Sequence, residues 1–150
     1  MRITLLAVGR MRRGPERTLL TDYLDRFAKA GRATGLPPVA MVEVEGRPSE
    51  AEALSRAVPA GAALVALDER GTLATSPDIA AMLAGYRDDA RDLCLMIGGA
   101  DGLDPALRAR ADRAVSFGRM VWPHMLARVM LAEQLYRAAS ILSGGPYHRA

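Results

Sequence analysis

Apolar and polar positions follow two rhythms along the chain. Continuous apolar runs recur at "RITLLAV" (2–8), "VAMVEV" (39–44), "AALVALD" (62–68), "DLCLMIGG" (92–99) and "AVSF" (114–117). Their length suits strands buried on both faces. Between them, apolar residues recur at steps of three and four. The stretch 16–30 puts Leu19, Leu20, Tyr23, Leu24 and Phe27 on one face, and shorter helical patterns span 49–58, 76–90 and 104–112. Ser76 reads as an N-cap ahead of Pro77 and Asp78, and Asp104–Pro105 repeats that helix start. From about His124 to Ser143 the pattern predicts one long helix. Strand–helix alternation at this spacing predicts an α/β fold, with right-handed crossovers, a mostly parallel sheet and helices on both faces. No repeat, low-complexity tract or linker divides residues 1–150, so a single domain is expected.

Ligands of such sheets gather at the carboxyl ends of the strands. That singles out "LDERG" after the third strand, "IGGADGL" after the fourth and "GRMVWPH" after the fifth. Gly98, Gly99 and Gly102 let a backbone approach a ligand closely, or simply make a turn. Their G-G-x-x-G spacing after the fourth strand is not a dinucleotide fingerprint, which disfavours a nicotinamide oxidoreductase. The segment 117–123 mixes Phe117, Met120, Val121 and Trp122 with Gly118 and Pro123. A loop this apolar is expected either to be buried, tucked beneath the last helix, or to cover something apolar, its backbone groups then suiting a flat heteroaromatic ligand such as adenine.

Composition narrows the partners. Half the residues are apolar, a quarter are charged and the net charge is +3. The pI near 9.5 mildly favours an anionic partner. All but Lys29 of the 20 basic residues are arginine, which suits phosphate recognition but equally reflects codon usage. The N-terminal apolar run is too short for a secretory signal, and no stretch approaches a membrane span. One cysteine, Cys94, allows no internal disulfide and reads as an inert core thiol; a cytoplasmic protein without a metal site is expected.

Three features of the last 27 residues stand out. Arg128 falls among Leu131, Ala132, Leu135 and Leu142 on the helix, about 140° from the polar stripe of Glu133, Arg137 and Ser140. It either snorkels or faces an anion. The helix is also apolar around most of its circumference, which predicts a symmetric homodimer burying part of it, Leu135 included. Beyond it, "PYHRA" places Tyr147, His148 and Arg149 together at an end where such residues are unusual.

Taken together, "LDERG", "IGGADGL", "SFGRMVWPHMLARVMLAEQLYRA" and "PYHR" resemble the RlmH family of SPOUT-class methyltransferases. The resemblance extends from "ITLLAVGR" to the last residues and is weakest around 46–60. That family uses S-adenosylmethionine to methylate N3 of a pseudouridine in large-subunit ribosomal RNA. The resemblance implies a C-terminal trefoil knot, a homodimer and a substrate on the ribosome. It assigns Leu67, Gly98, Phe117, Gly118, Arg119, Met120, Val121 and Trp122 to the cofactor. It assigns Arg128, Tyr147 and Arg149 to the RNA, Tyr147 stacking on a base and Arg149 clamping a phosphate. His148 is then the residue that helps remove the N3 proton, histidine titrating near neutrality. Glu133 and solvent are the alternative bases. A SPOUT enzyme acting on another RNA, such as a tRNA, and a non-catalytic ribosome-binding factor are the rival readings.

Overall fold

The computed structural model describes residues 1–149. Five strands, β1 (Ile3–Val8), β2 (Val39–Val44), β3 (Ala63–Leu73), β4 (Leu93–Ile97) and β5 (Arg113–Ser116), form one sheet in the order β2-β1-β4-β3-β5. Every pairing is parallel. Five helices alternate with them: α1 (Pro15–Gly31), α2 (Glu50–Ala57), α3 (Ser76–Asp88), α4 (Pro105–Arg110) and α5 (His124–Ser143).

The continuous apolar runs have their cause in this layering. Successive side chains of a strand point to opposite faces, and here both faces are covered. Ile3, Leu5 and Ala7 of β1, with Leu93, Leu95 and Ile97 of β4, pack against Phe27 of α1, Leu83 of α3 and Leu131 and Leu135 of α5. Leu6, Val8, Cys94 and Met96 face the other way, onto Leu54 of α2 and Leu107 of α4. Cys94 is fully buried, and burial pushes its thiol up to about 11. It is a core residue, as the sequence predicts.

Three expectations need correction. The cap of α3 is Thr75, not Ser76: its hydroxyl accepts from the Asp78 N–H while the Asp78 carboxylate accepts from the Thr75 N–H, a reciprocal box. The third strand does not stop at Asp68. After a register shift between Leu67 and Thr72, β3 rejoins β5 and runs to Leu73. A Cβ on Gly71 would lie 2.6 Å from the Ala114 backbone, so the crossing closes only with glycine there. Leu135 is fully buried within this one chain, so it belongs to the core and not to an interface.

Candidate functional site

From the end of β5 the chain crosses the carboxyl ends of β3 and β4 before entering α5. Between this crossing and the strand ends lies a cleft of about 330 Å³, within the size range of small-molecule sites. Leu67, Gly98, Phe117, Gly118, Met120, Val121 and Trp122 line it, so seven of the eight cofactor positions named from the sequence come together. Arg119 is not among the lining residues and is exposed. Gly102 of the glycine turn also lines the cleft, as do Asp68, Leu103 and His124, which had no assigned role. For His124, a signal lay in its being the first residue of the last helix, directly after the apolar loop.

The two sides of the cleft are built differently. Gly98 is required by its own turn: an added Cβ would lie 2.6 Å from the carbonyl carbon and oxygen of Gly102 and 2.9 Å from the Leu103 nitrogen. Gly102 itself has φ +78°, and nothing lies within 4 Å of its missing Cβ. The 118–122 segment is the opposite case. Met120 is 66% exposed, Val121 76% and Trp122 39%, so of the two readings the loop is not buried beneath the last helix but presents its apolar side chains to solvent. This chain has no layer over it.

Asp68 closes the cleft beside Leu67. Its side chain is almost wholly buried and accepts from Arg70, 3.2 Å away, and Arg108, 3.4 Å away. Burial alone raises this carboxyl, but the hydrogen bonds from the Arg70 side chain and backbone and from Arg108 outweigh it. They hold the group below the usual carboxylate range.

Arg128 corrects the sequence reading. It is fully buried, donating to the Glu43 carboxylate at 2.8 Å and to the carbonyls of Val8 and Gly9. It neither snorkels nor faces an external anion; its charge is answered within the fold. Burial lowers its basicity, and the Glu43 contact opposes that shift.

Tyr147 and His148 are half-buried rather than a solvated end. Tyr147 donates its hydroxyl to Glu133 at 2.9 Å, lies 4.5 Å from the Tyr136 ring and carries the Arg137 guanidinium 4.6 Å from its ring centre. Burial, reinforced by Glu133, raises the phenol well above its ordinary value, so it stays protonated at any working pH. Arg137 Nη1 sits 3.4 Å from His148 Nδ1. A guanidinium only donates, so the ring's lone pair points at Arg137 in this arrangement. Glu133, the alternative base, already accepts from Arg137, Gln134 and Tyr147. Arg149 is exposed. Among the described residues, none of the tail lines the cleft of its own chain.

A family model described as "Predicted SPOUT methyltransferase" matches residues 1–148. The chain belongs to the SPOUT methyltransferase family. It is 64% identical to the "Ribosomal RNA large subunit methyltransferase H" of Paracoccus denitrificans (strain Pd 1222), over 99% of each chain. It is equally 64% identical to the protein of that name from Roseobacter denitrificans (strain ATCC 33942 / OCh 114), again over 99% of each. The fold is also similar to that of a probable methylase family protein from Haemophilus influenzae Rd KW20. That match has a TM-score of 0.52 at 12% identity, covering 99% of this chain and 70% of that one. The apolar crossing segment and the glycine turn face each other across the cleft that both line. Among the described residues no helix is long and apolar enough to cross a membrane, and no group of three metal-ligating side chains comes together.

Proposed function

We infer that this chain transfers a methyl group from S-adenosylmethionine to large-subunit ribosomal RNA, at N3 of a pseudouridine. The observation that carries the reading is the full-length identity to relatives named for that RNA, combined with an intact cleft. The cleft's residues fit the cofactor. Met120, Val121 and Trp122 offer an uncovered apolar wall, the Gly98–Gly102 turn offers open backbone, and the volume is that of a small-molecule site. When bound, the cofactor supplies an already activated methyl group, so the protein's main task is alignment. Leu67 and Trp122, which line the cleft, would hold the cofactor, and the open space beside Gly102 would permit close approach to its backbone.

The substrate side of the site is proposed to come from a second copy of the chain. Its support is that Tyr147, His148 and Arg149 lie away from their own cleft, while an apolar groove of Leu19, Tyr23, Val129 and Met130 is open on α1 and α5. In this homodimer Tyr147 and Arg149 hold the RNA of the partner's site, and His148 takes the N3 proton once its ring has turned from Arg137. The trefoil threading of the 117–143 segment belongs to the same proposal. Labelled-cofactor assays on ribosomes, large subunits, free ribosomal RNA and tRNA test it. Methyl transfer confined to N3 of a large-subunit pseudouridine is expected. Labelling only of tRNA would point to the rival substrate, and labelling of no RNA to a binding factor.

A further inference from the structure

Among the described residues, four arginines crowd one short surface segment without a carboxylate partner. Arg10, Arg12 and Arg13 lie in the β1–α1 connection, and Arg17 follows in the first turns of α1. All four are exposed and border a surface hollow of about 540 Å³ with Met11 at its base. None takes part in an ion pair, whereas Arg2, Arg26, Arg70, Arg87, Arg91, Arg108, Arg128 and Arg137 all do. Glu16 is the one acid in the segment. Four unneutralised like charges held this close repel one another, so the arrangement favours an anion that bridges them.

The root of this segment is fixed. Met11 is 5% exposed, and its N–H donates to Glu43 at 2.6 Å. Glu43 in turn accepts from buried Arg128, which also donates to the carbonyls of Val8 and Gly9. The backbone entering the segment is therefore clamped from both sides of Gly9 while the arginine heads stand in solvent.

Its position is equally defined. Ala7 pairs with Ile97, so the segment leaves the sheet beside the strand whose end forms the glycine turn. Met125 of α5 approaches within 3.9 Å of the Cβ position of Gly9, and the preceding residue, His124, lines the cleft. The basic segment and the cleft share one edge of the molecule.

We propose that Arg10, Arg12, Arg13 and Arg17 form the surface that grips the phosphate backbone of the ribosomal RNA flanking the target nucleotide. This rests on the functional reading above and adds where the RNA runs. Arginine forks match phosphate oxygens in pairs, and such contacts position a nucleic acid without reading its sequence. The weakly matched stretch 46–60, by contrast, carries only Arg47 and Arg56 as basic residues.

The test compares the wild-type protein with the triple variant Arg10→Gln, Arg12→Gln, Arg13→Gln and its triple lysine counterpart. Binding to ribosomal large subunits is followed by co-sedimentation from about 50 to 200 mM salt, alongside methyl transfer and cofactor calorimetry. Losing three phosphate contacts is expected to flatten the log–log salt dependence by about 2 and to weaken binding on the order of tenfold at low salt. KM for the subunits rises accordingly, while kcat and cofactor affinity hold. The lysine triple keeps most of the salt slope. An unchanged slope and KM in the glutamine triple would overturn the proposal, as would an equal loss of slope in the lysine triple. A wild-type protein that neither binds nor methylates any ribosomal substrate would instead overturn the functional reading.

Discussion

The two walls of the cleft, 98–103 and 117–122, differ in what completes them. The first is finished by its own chain: Gly98 touches the backbone of Gly102, and Leu103 is 5% exposed. The second leaves Met120, Val121 and Trp122 in solvent. Both read as apolar, glycine-containing loops in the sequence. The contrast teaches that a glycine-rich turn is not automatically a place for a ligand, while an apolar loop with nothing over it is an unfinished surface. Breaking the first wall should damage fold and binding together; breaking the second should damage binding alone.

The largest effect is expected from Gly98→Val. Its side chain must displace backbone rather than a flexible neighbour, costing about 2–3 kcal/mol, or roughly 5–10 °C in melting temperature, and abolishing cofactor binding. Unchanged melting and calorimetry would show that the turn tolerates bulk and that the first wall is not self-packed.

Next comes removal of Tyr147 to Ala150, which belongs to neither wall of its own chain. Folding should lose the Tyr147–Glu133 hydrogen bond and the ring's contacts with Tyr136 and Arg137, about 1–2 kcal/mol in all. Cofactor affinity should hold, while methyl transfer to ribosomes falls on the order of a hundredfold because the RNA is no longer aligned. Undiminished activity of the truncated protein would remove the tail from the site.

Trp122→Ala probes the open wall more gently. Because the ring is 39% exposed, stability should change by less than about 1 kcal/mol, whereas cofactor affinity should drop by about tenfold. A fall in melting temperature matching that of Gly98→Val would erase the distinction between the walls.

The smallest effect concerns Asp68, where β3 meets the first wall. Its folded-state pKa lies below the ordinary 3.8. The stability it contributes is therefore fully present above that value and is lost as the pH falls through the lower folded value. Melts of Asp68→Asn should be less stable than wild type near neutrality, and the difference should shrink below about pH 4. A constant difference across the acid range would mean that its charge is not what holds Arg70 and Arg108.

Much of this was legible because one apolar period marks each layer. The five runs became five strands, and the helix from His124 to Ser143 has the predicted bounds. What escaped was set by tertiary neighbours. Nothing local marks Arg128 as the partner of Glu43, 85 positions away, so its place on an apolar face suggested an external anion. The two readings of 118–122 stayed open in the sequence because an apolar loop implies a cover without saying which molecule supplies it. Tyr147 was singled out correctly as more than a frayed end. Its docking on Glu133 and Arg137 depends on the tail folding back along α5, which no periodicity encodes. The arginines of 10–17 were passed over because clustering in sequence becomes a surface only once Met11 is anchored beneath them.

Cys94, deep in the middle strand, gives the molecule a built-in clock. A thiol-reactive dye cannot reach it while the sheet is closed, where burial also raises the thiol to about 11 and keeps it protonated. With one cysteine in the chain, labelling yields a single signal free of competing sites. Under slow-labelling conditions its rate reports the population of the globally opened state, residue-free of the loops and tail. Cofactor or RNA that binds only the closed protein must slow that clock in proportion to its occupancy, so affinity can be read from chemistry at a position no ligand touches.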